Sequence, residues 1–387
     1  MDREFIEVSF VIPCLNESRT IKQVIKSCHK VGNCFESYEI IIADNMSEDN
    51  SDVIALEAKA KVVKVKSPGY GSALKAGIKA ARGEYIVMGD ADNTYDFTDS
   101  LAMIKQIKTY SCDLVIGDRF KGKIEEGAMP KLHRYFGNPV LSTIGKLLYS
   151  ANINDFHCGI RLFKRKSIIA LDLKSNGMEY ASEMIIRSLL ANYKINQVPV
   201  SLRRSIPDRI PHLHSWRDGW RHLKLLLTFS PKFTYFPISL FFLTLSLILF
   251  ILYLRNQDPF AGTNTLMFII VFYNFALSSF SEYITCRLLI SNNIKYKTNF
   301  LSEFLFKSIS KYENLDKAYQ IILALLISFS IQVVLLLYKM SQISNFLQTK
   351  TGNLYSFNLM LITSTVLFLY LSSSKLGTIF WLNRKDI

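Results

Sequence analysis

Apolar runs long enough to cross a bilayer confine what the C-terminal part of this chain can be. Near Pro231 a mixed polar sequence gives way to Thr234-Tyr-Phe-Pro-Ile-Ser-Leu-Phe-Phe-Leu243, and the run continues to Leu254; a transmembrane helix needs about 20 such residues. Further runs follow, so the sequence predicts about four spans, at 233–254, 266–290, 318–338 and 354–372. Arg217, Arg221, Lys224 and Lys232 precede the first span. Lys295, Lys297, Lys307, Lys311 and Lys317 lie between the second and third, and Lys375, Arg384 and Lys385 follow the fourth. The alternate loops hold little beyond Arg255, Lys339 and Lys350. The positive-inside rule then puts both termini in the cytoplasm, with residues 1–230 forming a cytoplasmic part of an integral inner or plasma membrane protein.

Charge placement narrows the partners. The chain has 387 residues with 46 Lys+Arg against 32 Asp+Glu, a net charge of +14. Such an excess suits an anionic membrane surface, a phosphate-rich substrate or a nucleic acid. Because the cations crowd the loops beside the spans, no nucleic-acid partner is expected. Six cysteines at irregular spacing, with no Cys-x-x-Cys pair, indicate neither a zinc site nor a disulfide framework and fit a reduced compartment. The stretch Met1-Asp-Arg-Glu4 lacks the basic character of a signal peptide, so cleavage for secretion is not expected.

Residues 1–212 read as strands and helices in alternation. Strands are expected at Val8–Ile12, Glu39–Ala43, Val62–Val65, Tyr85–Met88 and Leu114–Ile116. Helices are expected at Glu17–Cys28, Glu48–Lys59, Ser72–Ala81 and Phe97–Thr109. This rhythm argues for an α/β domain with a mostly parallel sheet and helices on both faces. Ligands of such sheets bind beyond the carboxyl ends of the strands.

Those ends carry Pro13, Asn16 and Glu17 after the first strand, Asp44 and Asn45 after the second, and Asp90 and Asp92 after the fourth. A strand-end carboxylate can accept hydrogen bonds from a base or ribose, and two in Asp-x-Asp spacing can reach a divalent cation that also holds substrate phosphates. The pair on its own is equally well a solvated turn; its place after the apolar strand Tyr85–Met88 favours a site. Gly69-Tyr-Gly-Ser-Ala-Leu74 offers a dinucleotide-binding turn as a rival, but Leu74 replaces the third glycine and the segment is not the first strand-turn-helix.

Taken in order, several stretches resemble family 2 glycosyltransferases with the GT-A nucleotide-sugar-binding fold, and within them the polyprenyl-phosphate sugar transferases related to dolichyl-phosphate mannose synthase. They are Val11-Ile-Pro-Cys-Leu-Asn-Glu17, Ile42-Ala-Asp-Asn-Met-Ser-Glu-Asp49, the glycine-rich stretch running on to Gly77, Gly89-Asp-Ala-Asp92, Gly117-Asp-Arg-Phe120, Asp155-Phe-His-Cys-Gly-Ile-Arg161 and Gly177-Met-Glu-Tyr-Ala-Ser-Glu-Met184. The resemblance covers most of residues 6–225. It implies that Pro13, Glu17 and Asp44 hold the base and ribose of a UDP- or GDP-sugar, with Asn16, Asn45 and Gly71 in the same donor-binding stretches. It implies that Asp90 and Asp92 bring Mg²⁺ or Mn²⁺ to the donor diphosphate. Arg119, Arg161 and Arg203 or Arg204 look like the cations that such enzymes place around donor and acceptor phosphates, and His157 is a secondary site residue. The activity implied is inverting transfer of one sugar to polyprenyl phosphate, undecaprenyl or dolichyl, for a cell-envelope glycan. The sequence departs from the mannose synthase pattern at His157-Cys158 and in the Pro- and His-rich segment after Arg204, where His212 and His214 read as phosphate contacts or plain loop.

A phosphate acceptor is already anionic at neutral pH and needs no strong base; a hydroxyl acceptor, on a lipid or a glycan, needs a carboxylate within reach. Asp155, Glu179 and Glu183 are the candidates, the last two on one face of an expected helix. A third reading keeps only nucleotide binding in the domain and gives the function to the membrane helices, as transporter or scaffold. Membrane lipids are expected partners, and a homo-oligomer is left open. Residues 213–232 read as an interfacial helix, with Trp216, Trp220, Leu223 and Leu227 on one face beside Arg217, Arg221 and Lys224, ahead of the membrane part at 233–387. Lys131–Ser150 resembles it, and an ordinary helix packed on the sheet fits equally well. Glu282 and Arg287 are expected to pair near the cytoplasmic end of the second span.

Overall fold

The structure, a computed structural model, describes residues 5–207, 209, 215–255, 257 and 263–293. The expected third and fourth spans, the lysines between spans two and three, and His212 and His214 lie outside the described residues. By its contacts the chain divides near Ser230 into two compact units.

The first unit is a seven-stranded sheet flanked by helices. Strands β1 (Val8–Cys14), β2 (Tyr38–Asp44), β3 (Lys61–Lys64) and β4 (Tyr85–Met88) are parallel. All seven residues of β1 are buried, which explains its largely apolar make-up, since a central strand of a covered parallel sheet has no solvent face; its polar Ser9 is satisfied by donating to Glu39 Oε1 at 2.8 Å. Helices α1 (Ile21–Gly32), α2 (Ser51–Glu57), α3 (Tyr70–Ala80) and α4 (Asp99–Tyr110) make the crossovers. The sheet continues through β5 (Leu114–Asp118), β6 (Arg161–Lys164) and β7 (Ile195–Pro199) in the order β3-β2-β1-β4-β6-β5-β7. Strand β6 runs antiparallel to both β4 and β5, a reversal the alternating pattern did not signal. The chain builds outward from β1 to β3 and then returns to place β4 on the other flank of β1. The β1–β4 boundary is therefore a topological switch point, where strand-end loops diverge and leave a crevice.

Most expected elements form with ends shifted by one to four residues, α2 for example covering Ser51–Glu57 within the expected Glu48–Lys59. Helix α1 starts at Ile21, not Glu17, because Asn16 adopts a left-handed φ of 54° that holds the β1 loop in a turn. The expected helix at Lys131–Ser150 divides into a π-helical turn, His133–Gly137, followed by α5 (Asn138–Tyr149). Helices α6 (Arg165–Ala170), α7 (Tyr180–Leu190) and α8 (Ser215–Thr228) complete the unit.

Helices α5 and α8 are inverted relative to an ordinary surface helix. The inward face of α8 carries Asp218, His222 and Leu226, whereas Trp216 is 83% and Trp220 65% exposed. Helix α5 buries Ser142 and Gly145 and presents Leu147 at 69% exposure, with Tyr135 at 72% in the preceding turn. The Tyr149 hydroxyl donates to the Leu226 carbonyl at 2.7 Å, tying α5 to α8.

The second unit begins with α9 (Pro231–Leu254), the one helix among the described residues that is long and apolar enough to cross a membrane. It packs on α10 (Thr263–Asn293), which contains the expected second span and has a shorter apolar stretch, Phe268–Phe280. Ser239 and Ser246 donate to the carbonyls of Ala276 and Ile269 at 2.8 and 2.9 Å, hydrogen bonds that join helices where apolar contact alone gives little preference over lipid. The Arg287 side chain is outside the described residues, so its pairing with Glu282 is not described.

Candidate active site

The strand ends at the β1–β4 switch point form an acidic edge whose members have distinct surroundings. Asp44 closes β2 fully buried, and Lys64 on β3 reaches it at 3.2 Å. Neither of its carboxylate oxygens receives a hydrogen bond. A buried carboxylate with unfilled acceptor positions costs free energy unless a donor completes it, which is the contact a base or ribose would supply. Pro13 lies buried within β1 opposite Ala43.

The two asparagines act on the protein itself. The Asn16 amide donates to Ser47 Oγ at 2.9 Å, and its side-chain oxygen accepts from the Glu48 amide at 2.8 Å. Asn45 donates to the carbonyls of Val65 and Ser67 at 3.2 and 2.8 Å and accepts from the Gly69 amide at 2.7 Å. Both therefore position loops around the site. Gly71 serves packing: a Cβ there would stand 2.5 Å from the Ser175 carbonyl and 2.8 Å from the Tyr180 Cβ.

Asp90 and Asp92 follow β4. The Tyr70 hydroxyl donates to Asp90 Oδ1 at 2.9 Å, and Thr94 donates to Asp92 Oδ1 through its amide at 3.1 Å and its hydroxyl at 2.6 Å. Burial, then the neighbouring Asp92 charge, pushes the Asp90 carboxyl up to about 6, while the Tyr70 hydrogen bond, Arg209 and Arg119 act in the other direction. Gly159 is required beside it, since a Cβ would run into the Asp90 carboxylate and stand 2.9 Å from the Tyr95 ring.

Two neighbouring carboxylates that resist joint ionisation suit a divalent cation, whose charge removes the conflict. Among the described residues no group of three or more His, Cys, Asp or Glu side chains could hold a metal. The chain would thus offer Asp90 and Asp92, with the remaining positions left to donor phosphates and water.

Arg209 was missed by sequence reasoning. Its guanidinium grips Glu17 through both carboxylate oxygens, with Nε at 3.0 and 3.1 Å and a further contact from Nη2, and its Nη1 stands 3.3 Å from Asp92 Oδ2. No local periodicity marks it; the contact spans 192 positions of chain.

The expected arginines have diverged in role. Arg119 forms a buried two-point ion pair with Asp155, Nε to Oδ2 at 2.6 Å and Nη2 to Oδ1 at 2.8 Å. Asp118 shapes the turn that presents it, accepting from the Phe120 and Lys121 amides at 3.1 Å each. Asp155 is consequently engaged and is not free as a base. Arg161, expected near phosphate, is fully buried and donates to the carbonyls of Cys158, Phe156 and Ala181, so it braces the 155–161 loop against α7. Arg203 pairs with Asp96, and its amide donates to the Thr94 carbonyl at 2.8 Å. The Arg204 amide donates to Glu125 Oε2 at 3.0 Å and its side chain lies over Gly127.

The remaining candidate bases also separate. Glu183 is buried, accepts from the Lys174 and Ser175 amides and pairs with Arg187 at 2.7 Å. Glu179 stands at the N-cap position of α7 instead of within it, with no capping hydrogen bond from its side chain; it accepts from the Gly177 amide at 3.2 Å, while its Oε2 is buried without a hydrogen-bond partner. It lines a cavity of about 540 Å³ together with Gly69, Asn176, Arg221 and Lys224. His157 packs edge-on against His222, ring centroids 4.7 Å apart, with neither ring nitrogen hydrogen-bonded. Burial holds the His157 imidazole well below its usual range and His222 down to about 4, so both are neutral at pH 7.

The chain has relatives among known proteins. Over 229 residues the chain is 35% identical to the low-salt glycan biosynthesis hexosyltransferase Agl6 of Haloferax volcanii, covering 59% of this chain and 55% of that protein. The chain thus spans little more than half the length of Agl6. It is 27% identical over 201 residues to a dolichyl-phosphate hexose transferase of the same organism, covering 51% of this chain and 84% of the relative. Its identity to the uncharacterized protein MJ1222 of Methanocaldococcus jannaschii is 32% over 202 residues, half of this chain and 80% of that one. Residues 9–171, which hold β1 to β6 and the acidic edge, match the profile of Glycosyl transferase family 2, and the chain belongs to that family.

Proposed function

We propose that the protein is a membrane-bound, inverting glycosyltransferase that moves one sugar from a UDP- or GDP-sugar to polyprenyl phosphate at the cytoplasmic leaflet. The observation that carries this reading is the acidic edge, where the unsatisfied Asp44 and the paired Asp90 and Asp92 gather at a switch point of the sheet. Asp44 would accept from the base or ribose. Asp90 and Asp92 would hold Mg²⁺ or Mn²⁺, which when bound offsets the diphosphate charge. An acceptor phosphate oxygen attacks the anomeric carbon as the bond to the donor phosphate breaks, and the electron pair leaves on the nucleoside diphosphate. No proton need be removed from a phosphate monoester whose second pKa is near 6. That two of the three candidate bases are held in internal ion pairs agrees with such an acceptor.

The inverted helices α5 and α8 support the placement at a bilayer. Tryptophan, tyrosine and leucine directed outward beside Arg217, Arg221 and Lys224 suit the headgroup region. One relative's name, dolichyl-phosphate hexose transferase, points to the same acceptor class. Together with α9 they support a domain order of catalytic part, interfacial helix and membrane part, and the basic residues beside the spans favour both termini in the cytoplasm.

A hydroxyl acceptor is the second reading, favoured by the unpartnered Glu179 oxygen at the cavity wall. The test uses the full chain in detergent with Mg²⁺ or Mn²⁺, undecaprenyl or dolichyl phosphate and a panel of UDP- and GDP-sugars, scoring lipid-linked sugar and free nucleoside diphosphate. Metal-dependent product from one donor, with Glu179→Gln changing turnover less than about tenfold, is expected; a loss of about 10²- to 10⁴-fold in that variant would assign Glu179 as a base to a hydroxyl acceptor.

A further inference from the structure

Arg209 stands where the donor and its cation are proposed to bind. It bridges a carboxylate of the β1 loop, Glu17, to one following β4, Asp92, and so spans the switch point. Its segment is anchored independently, because Arg19 Nη1 donates to the Pro207 carbonyl at 3.1 Å. Two carboxylates from different strand ends therefore share the Arg209 guanidinium. A divalent cation on Asp92 would meet that guanidinium at close range, and a base or ribose held by Glu17 would meet it from the other side. Like charges a few ångströms apart in a half-buried site repel one another.

We infer that Arg209 is a tethered cation that occupies the donor site before substrate arrives, competing with the divalent metal for Asp92 and with the nucleoside for Glu17. The inference rests on the donor and metal assignment proposed above. It has a consequence for the order of binding. Metal alone gains little, since it must displace the guanidinium without an anion to receive it. A nucleoside diphosphate brings two anionic groups that can take over the released Arg209, so metal and nucleotide strengthen each other, a reciprocal coupling between the two ligands.

The test measures Mn²⁺ binding to the full chain in detergent by electron paramagnetic resonance, with and without UDP or GDP, in wild type, Arg209→Gln, Arg209→Lys and Asp92→Asn. Without nucleotide, Arg209→Gln is expected to bind Mn²⁺ about tenfold more tightly than wild type, because one competing charge is gone. Arg209→Lys, which keeps the charge, is expected to stay close to wild type, and this separates competition from general loosening of the fold. Nucleotide should tighten Mn²⁺ in wild type and much less in Arg209→Gln. If Arg209→Gln leaves the nucleotide-free affinity unchanged or weaker while Asp92→Asn abolishes binding, the exchange is refuted and the metal site stands. Mn²⁺ binding that persists unchanged in Asp92→Asn overturns the metal assignment itself, and the exchange with it.

Discussion

Replacing Asp155 by alanine leaves the Arg119 guanidinium buried beside an empty carboxylate position. The pair is fully enclosed on the acid side and joined at two points, 2.6 and 2.8 Å. Removing one partner of a buried pair costs about 3–5 kcal/mol, since the remaining charge cannot regain its hydration. For a folding unit of this size about 2–4 °C of Tm accompanies each kcal/mol, so a drop of about 6–20 °C is expected. Far-UV circular dichroism of the full chain in detergent reads it directly. Asp92→Ala is the control, expected to cost about 1–2 kcal/mol, because it removes the Thr94 hydrogen bonds but leaves Arg209 paired with Glu17. Arg119→Met with Asp155→Leu should recover most of the lost stability, as apolar replacement of a whole buried pair is often neutral, yet leave transfer impaired because Arg119 is gone. If Asp155→Ala melts within about 2 °C of wild type while turnover collapses, the structural reading of the pair is wrong and Asp155 is acting as a base.

Stability should fall on acidification. The His222 imidazole titrates at about 4 in the folded chain against 6.5 unfolded, so between these values the unfolded state binds more protons and each step down in pH favours it. About 3 kcal/mol is lost by pH 4 from this residue, with His157 acting in the same direction and the Asp90 carboxyl, pushed up to about 6, acting against them; urea titrations from pH 7.5 to 4.5 should therefore show a steeper loss in wild type than in His222→Gln, and identical profiles in the two would refute the burial argument. Asp44→Asn should weaken UDP or GDP binding measured by calorimetry while changing Tm little, because the buried charge it removes is met only by the exposed Lys64; unchanged nucleotide affinity would remove Asp44 from the site. In nanodiscs of the Trp381→Phe variant, lipids brominated near the headgroup should quench Trp216 and Trp220, whose exposed rings face away from the domain; emission untouched by bromine would place α8 away from the bilayer.

The sequence by itself determined the alternation of strands and helices, the strand-end acids and the entry into apolar spans. These are local properties: a central parallel strand is mostly apolar, as Val8–Cys14 is apart from Ser9, and the apolar run Tyr85–Met88 coincides with β4. The inverted faces of α5 and α8 were half legible, since Trp216 and Trp220 share a face by spacing alone, whereas the buried Asp218 and His222 opposite them emerge only from packing. What the tertiary structure decided is which charge meets which. Arg119, Arg161 and Arg209 are equivalent cations in the sequence, yet one is clasped by Asp155, one is enclosed by backbone carbonyls and one bridges Glu17 to Asp92. The antiparallel β6 brings residues 155–161 against Asp90, and residue 209 returns to the loop of the first strand. Electrostatic partnership depends on distance in space, and contacts of such long sequence separation leave no periodic trace in the chain that makes them.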